Sequence, residues 1–83
     1  MKLLYFAWAR QKLGKGEEEF ELPSEVETAR DLALHLAARG GGYADVFADL
    51  NRLRVAINQE HANWNARVAA DDEIAFFPPV TGG

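Results

Sequence analysis

One amphipathic helix pattern near the middle of the chain restricts the folds that this sequence can adopt. Thr28 is a typical helix N-cap, and Asp31 stands three residues later, where a capping box has its acidic partner. Apolar residues then recur at the spacing of one helical face: Ala29, Leu32, Ala33, Leu36 and Ala37. The glycines at 40–42 end the pattern as a C-cap, because glycine readily takes the left-handed conformation. The sequence therefore predicts one main helix that needs an apolar surface to pack against.

Strand patterns lie on both sides of this helix and predict the surface that it covers. They occupy five segments: 2–7, 17–22, 53–57, 64–68 and 73–77. The first is apolar throughout and would be buried on both faces, whereas the second alternates and would be half exposed. A helical turn is expected over 8–13, a weaker helical pattern over 43–50, and turns at 58–59 and 71–72.

The order of these elements predicts an α+β fold with one main helix packed on one face of a mixed sheet. The β-grasp fold of ubiquitin has the same order. We therefore expect a ubiquitin-like β-grasp domain over residues 1–77, with a protruding, flexible and extended C-terminal tail over 78–83.

Composition excludes several classes of function. With 83 residues, the chain can bury a single modest core. A net charge of −4 with scattered basic residues does not favour nucleic-acid binding, which usually relies on a basic stripe. The chain has no cysteine, and His35 and His61 lack metal-ligand spacing. No apolar run reaches membrane-spanning length. We expect a cytoplasmic protein with no metal site and no nucleic-acid or membrane partner.

The last six residues form an arm that suits insertion into another protein. At about 3.3–3.6 Å per residue, the arm reaches roughly 20 Å. Pro78 and Pro79 favour an extended conformation at its root. Gly82 and Gly83 have no Cβ and would pass through a narrow channel at its tip. A Gly-Gly end alone is weak evidence, but its combination with an apolar last strand and a double proline is far more specific.

Three segments resemble the molybdopterin synthase small subunit family. Residues 72–83 closely resemble its C-terminus, and residues 6–10 resemble its first strand and following turn. Residues 55–59 are similar to its internal strand and turn. The resemblance spans nearly the whole chain, and its most specific part is the tail.

This resemblance implies that Gly83 is the catalytic position. A ubiquitin-activating-enzyme-like adenylyltransferase would adenylate its carboxylate with ATP and magnesium, and a sulfur donor would convert it to a thiocarboxylate. The tail would then enter a large catalytic subunit, within a heterotetramer, and give sulfur to cyclic pyranopterin monophosphate to build the molybdopterin dithiolene. The inserted residues would be Pro78, Pro79, Val80, Thr81 and Gly82. The resemblance also implies that the acid/base residues and the pterin site belong to the large subunit, so the chain itself would bind no cofactor and would have no catalytic activity alone.

Four side chains are candidates for the interface with a partner. Phe6 and Phe77 have the opposite strand parity to Tyr5 and Phe76, so they would point away from the helix-covered face. Core packing is the simpler interpretation of any one of these aromatic residues. Two further candidates are Trp8 and Arg10, although an arginine in this position is more often solvated.

Three other functions remain open at this point. A carrier for thiamin or another sulfur pathway would share the fold and the Gly-Gly end. A protein modifier would be joined through Gly83 to lysines and would give conjugates on a denaturing gel. An interaction domain with an inert tail would lose no function when Gly83 is removed.

Overall fold

The computed structural model describes residues 1–79, which form a five-stranded sheet and a layer of short helices. The strands are β1 (Lys2–Tyr5), β2 (Glu17–Glu19), β3 (Arg54–Ile57), β4 (Glu60–Ala62) and β5 (Glu73–Phe77). The helices are α1 (Ala7–Leu13), α2 (Ala29–Ala37) and α3 (Gly41–Val46), and a 3-10 turn covers Leu50–Arg52.

The sheet has the strand order β2-β1-β5-β3-β4. β1 and β5 pair in parallel at its centre, and the three other pairings are antiparallel. This mixed sheet with one main helix confirms the predicted α+β, ubiquitin-like β-grasp fold. Val80, Thr81, Gly82 and Gly83 lie outside the described residues, so the predicted division into a domain over 1–77 and a tail over 78–83 stays a prediction.

Helix α2 begins and packs as its sequence predicts. The Thr28 hydroxyl accepts from the Asp31 backbone N–H at 3.1 Å, and the Asp31 carboxylate accepts from the Thr28 backbone N–H at 3.2 Å. This reciprocal capping box satisfies two backbone donors that have no partner within the helix. The residues of the predicted stripe are buried, except that Ala37 is half-buried. The apolar stripe therefore anchors α2 on the sheet.

Aromatic rings fill the space between the sheet and the helices. The Phe76 ring stacks on Tyr5 at a centroid distance of 5.9 Å and meets Phe47 edge to face at 4.9 Å. Trp64 stacks on Phe76 from another side at 6.3 Å. Because Phe76 has no exposed surface and touches three rings, it is the centre of the core.

The first two strands are shorter than predicted. β1 ends at Tyr5, and only one of its faces is buried, because Ala7 takes a left-handed φ of 53° and turns the chain into α1. Phe6 is consequently 46% exposed. β2 ends at Glu19, where the Phe20 backbone N–H donates to the Met1 carbonyl. Pro23 then has no N–H with which to extend the ladder.

The glycines at 40–42 were wrongly predicted to cap α2. That helix ends at Ala37 and its C-cap, Ala38, remains right-handed, whereas Gly40 acts as the N-cap of α3 with a φ of 77°. A Cβ at Gly42 would lie 2.7 Å from the Lys12 carbonyl oxygen. Glycine is therefore needed there because α3 packs closely on α1.

The edge strand lies at Glu60–Ala62 and not at 64–68. Asn58 and Gln59 both take a positive φ, which makes a tight two-residue hairpin turn that pairs β4 directly with β3. The segment 64–68 crosses to the start of α2 instead, where Arg67 forms an isolated bridge with Thr28. A turn was predicted at these two polar residues. Because neither residue is glycine, the sequence did not indicate a tight hairpin with a strand directly after it.

A half-buried carboxylate ties β2 to the helices. Glu18 accepts hydrogen bonds from the hydroxyls of Tyr5 at 2.6 Å and Tyr43 at 2.8 Å, and from the Arg39 guanidinium at 3.1 Å. The Lys15 ammonium lies 3.8 Å away. Burial alone would raise the pKa of Glu18, but these hydrogen bonds outweigh it and hold the pKa below its ordinary value.

Glu18→Gln should make the fold less sensitive to acid. The lowered pKa means that the Glu18 carboxylate stabilises the folded state fully above about pH 4.5, and that this stabilisation is lost as the pH falls towards the lower folded-state pKa. We expect the variant to lose about 1–2 kcal/mol near neutral pH. Urea unfolding measures the free energy of unfolding at pH 7 and again below pH 4.5. The decrease between these two conditions should be smaller for the variant than for the wild type. An unchanged acid dependence would contradict this role of Glu18.

Candidate functional site

The chain leaves the sheet at the end of its central strand, and this point is the candidate site. Phe77 pairs with Arg54 on β3, and the Phe6 backbone N–H donates to the Phe76 carbonyl at 3.1 Å on the β1 side. Pro78 and Pro79 follow, both half-buried. Proline has no N–H, so these two residues donate no hydrogen bond to either neighbour. We call Pro78 and Pro79 the tail root.

The described part of the chain holds few other features of an active site. Residues 1–79 enclose no pocket, and their His, Asp and Glu side chains form no group that could bind a metal ion. Every buried side-chain N or O atom in this range has a hydrogen-bond partner. None of the helices there is long and apolar enough to cross a bilayer.

The structure places Phe6 and Phe77 away from the core, as strand parity predicts. Tyr5 and Phe76 are 1% and 0% exposed, whereas Phe6 is exposed and Phe77 is half-buried. The parallel register pairs Tyr5 with Phe76, so Phe6 and Phe77 each follow one member of this pair. The Phe77 ring also meets His61 edge to face at 5.1 Å. That these rings bind a partner stays a prediction.

Trp8 and Arg10 lie on α1 and not on the sheet face with Phe77. Trp8 is half-buried, and the Arg52 guanidinium carbon lies 5.3 Å from its ring centroid. Arg10 is exposed and lies against Gly16, where an added Cβ would come within 3.2 Å of the guanidinium. The structure therefore brings Trp8 to a basic side chain and leaves Arg10 on the surface beside the start of β2.

The face of the sheet opposite the helices is apolar at its centre. The strand registers align Leu4 with Ala75, Ala75 with Ala56, and Ala56 with His61. With Phe77, these residues form what we call the open face. Alanines make this face shallow, so a partner could approach the sheet closely. Only Phe77 was predicted from the sequence as part of this face, because the alignment of the other four residues depends on the strand registers.

Two arginines beside the end of β5 were also missed. Arg54 donates through its guanidinium to the Leu53 carbonyl at 2.9 Å and reaches the Asn51 carbonyl at 3.4 Å. Arg52 lies over Trp8, although 44 positions of sequence separate the two residues. No local pattern could have joined Arg52 to Trp8, because their contact depends on β5 lying between β1 and β3.

Comparisons with known proteins indicate the same family as the tail motif. A model of the ThiS family matches residues 3–83. The molybdopterin synthase sulfur carrier subunit of Haemophilus influenzae is 39% identical over 83 residues, which cover 100% of this chain and 99% of that protein. A solved structure of molybdopterin converting factor subunit 1 from Pyrococcus furiosus superposes with a TM-score of 0.76 at 31% identity, covering 95% of each chain. SAMP1 from Haloferax volcanii gives a TM-score of 0.72 at 29% identity, covering 100% of this chain and 98% of that one. The family resemblance is thus confirmed, and this chain belongs to the ThiS family.

Proposed function

We propose that this chain is the sulfur carrier subunit of a molybdopterin synthase and that its working group is the carboxylate of Gly83. The observation that carries this proposal is the full-length similarity to a molybdopterin synthase sulfur carrier subunit, with a family match that extends through Gly83. The geometry supports it, because the tail root leaves the central strand of a sheet whose core is well packed.

The proposed chemistry takes place entirely at the C-terminal carboxylate. This group has a pKa of about 3.3–3.7, so at neutral pH it is ionised and is a poor electrophile. An adenylyltransferase partner, using ATP and magnesium, would form the acyl-adenylate and release pyrophosphate. A sulfur nucleophile would then attack the acyl carbon and displace AMP, which leaves a thiocarboxylate on Gly83. The chain would bind no cofactor of its own in this cycle.

The rest of the domain would present the loaded tail to a large catalytic subunit. Three half-buried residues of the open face, Leu4, Ala75 and Phe77, and the exposed Phe6 supply an apolar surface beside the tail root, as a docked partner would need. The residues predicted to insert into the partner are Pro78–Gly82, and their extended reach is about 3.3–3.6 Å each. Two sulfur transfers to cyclic pyranopterin monophosphate would complete one dithiolene, in a heterotetramer of two large and two small subunits.

Reconstitution tests this assignment. Carrier loaded as the thiocarboxylate is mixed with its host's large subunit and cyclic pyranopterin monophosphate, and molybdopterin is measured. We expect two loaded carriers to be consumed for each molybdopterin formed, and no product from unloaded carrier. Sulfur delivery to a thiazole-forming acceptor, with none to the pyranopterin, would instead assign the carrier to thiamin synthesis.

Gly82→Val should impair sulfur transfer without changing the fold. A branched side chain at this position would clash with the walls of the channel that receives the tail, whereas glycine adds no side-chain bulk. We expect a fall in transfer rate of at least about tenfold and a melting temperature close to that of the wild type. Gly82→Ala is the matched control and should have an intermediate rate. Equal rates for all three proteins would mean that no narrow channel surrounds Gly82.

A further inference from the structure

We infer that Trp8 and Arg52 act as a positioning pair, which sets the direction in which the tail leaves the sheet. This inference rests on the proposed function and deepens it, because it assigns a role in sulfur delivery to two side chains outside the tail. Both residues belong to the elements that flank β5. Trp8 follows β1 in the first turn of α1, and Arg52 ends the 3-10 turn before β3.

The two side chains belong to segments that meet beside the end of the central strand. The end of β1 and the start of β3 flank the end of β5, because Tyr5 pairs with Phe76 and Arg54 pairs with Phe77. The guanidinium carbon of Arg52 lies 5.3 Å from the centroid of the Trp8 ring, within the range of a cation–π interaction. Trp8 is half-buried, so its ring gives Arg52 a firm support.

The tail root needs such a contact because its backbone lacks donors. The strand ladder holds the chain as far as Phe77, which pairs with Arg54. Beyond that residue, Pro78 and Pro79 have no N–H to give to β1 or β3. Side chains of the neighbouring elements are therefore the groups that can limit the direction in which Pro78 and Pro79 leave β5.

Both members of the pair are themselves held in place. Ala7 takes a left-handed φ of 53°, an uncommon conformation for a residue with a Cβ, and it turns α1 immediately after Phe6. On the other side, the Arg54 guanidinium binds the carbonyls of Leu53 and Asn51, which fixes the segment that carries Arg52. Backbone strain and hydrogen bonds thus bring the pair together from opposite sides of β5.

A positioning role predicts that loss of the Trp8–Arg52 contact lowers the rate of sulfur transfer within the docked complex by a small factor. A loose tail root would lower the fraction of docked complexes in which the tail is productively inserted. The free energy of an exposed cation–π contact corresponds to a change of about two- to fivefold in that fraction. The transfer rate within the complex should fall by this factor, whereas the concentration of large subunit needed for half-saturation should change little.

The experiment measures single-turnover sulfur transfer with full-length carriers loaded to equal extents, as checked by intact mass. Trp8→Ala, Arg52→Ala and the double variant are compared at a series of large-subunit concentrations. Trp8→Phe and Arg52→Lys each retain a weaker form of the contact. Arg67→Ala is the control for loss of one positive charge, because within residues 1–79 the Arg67 side chain contributes only an exposed ion pair to Glu27, and its backbone bridge to Thr28 is retained. Thermal unfolding shows whether each variant is folded. We expect Arg52→Ala to be folded, because Arg52 is exposed.

The expected result is a two- to fivefold lower saturating rate for each alanine variant, with no further loss in the double variant. Trp8→Phe and Arg52→Lys should recover most of the rate, and Arg67→Ala should equal the wild type. Wild-type saturating rates for both alanine variants would overturn the inference that Trp8 and Arg52 act as a pair. Additive losses of rate in the double variant would overturn it as well. A higher large-subunit concentration at half-saturation, with an unchanged saturating rate, would show that the two side chains contact the large subunit directly. That result would also overturn the positioning role. Absence of transfer from loaded wild-type carrier would overturn the proposed function, and this inference with it.

Discussion

Deletion of Gly83 is expected to abolish sulfur transfer while the domain remains folded. The carboxylate would then be carried by Gly82, about 3.3–3.6 Å short of the position that the partner's active site requires. Reacting groups tolerate much smaller displacements, since an error of about 1 Å can cost roughly a hundredfold in rate. Addition of one alanine after Gly83 should have the same effect, because it replaces the reacting group and lengthens the arm.

The two tail variants are compared with wild type by molybdopterin formation and by thermal unfolding. The melting temperature should be unchanged, because the core is formed within residues 3–76 and chain ends outside a core contribute little to stability. Lys12→Ala serves as a control, since it removes one exposed side chain whose contact with Asp45 is a long surface ion pair of 3.9 Å. Synthase activity retained in either tail variant would contradict the proposed mechanism.

Phe76→Ala should have the largest effect on stability. Its ring is fully buried among Tyr5, Phe47 and Trp64, so truncation removes apolar contacts and leaves a cavity that three rigid rings cannot easily fill. Such a substitution costs about 3–5 kcal/mol. A domain of this size has a total free energy of unfolding of about 4–12 kcal/mol. Urea unfolding should therefore show a variant that is barely stable or unfolded.

Phe77→Ala is the matched control, because it removes the same ring one residue later from the opposite face of β5. The Phe77 ring is half-buried and meets only His61 among the ring pairs of the described residues, so we expect a loss of less than about 1.5 kcal/mol. The affinity of the Phe77→Ala variant for the large subunit should fall about tenfold if the open face is the docking surface. Equal destabilisation by the two substitutions would contradict the assignment of the two faces.

Local sequence patterns were sufficient where one element carries its own signals. The capping box at Thr28 and the apolar stripe after it predict α2 almost to the residue, since both are local properties of a helix. The last strand, Glu73–Phe77, was predicted with the observed bounds because its parity separates buried from outward residues clearly. Together with the other strand patterns, these two elements indicated the β-grasp order.

The remaining differences come from contacts between segments that are distant in sequence. β4 follows a turn in which Asn58 and Gln59 both take a positive φ, which neither residue type requires. Gly40 starts α3 with a positive φ, and Gly42 lets that helix pack closely on α1, a contact that no glycine pattern reveals. The open face and the Trp8–Arg52 contact likewise depend on strand order, so they could be recognised only in the folded domain.

The intact mass of the chain, measured after incubation with its host's activating enzyme, ATP, magnesium and a sulfur source, decides whether Gly83 carries sulfur. We expect a gain equal to the replacement of one oxygen atom by one sulfur atom, and no such gain in the Gly83 deletion. An unchanged mass, while the same enzyme loads a control carrier, would contradict the carrier function. Conjugates to other proteins through Gly83, without a free thiocarboxylate, would instead identify a protein modifier.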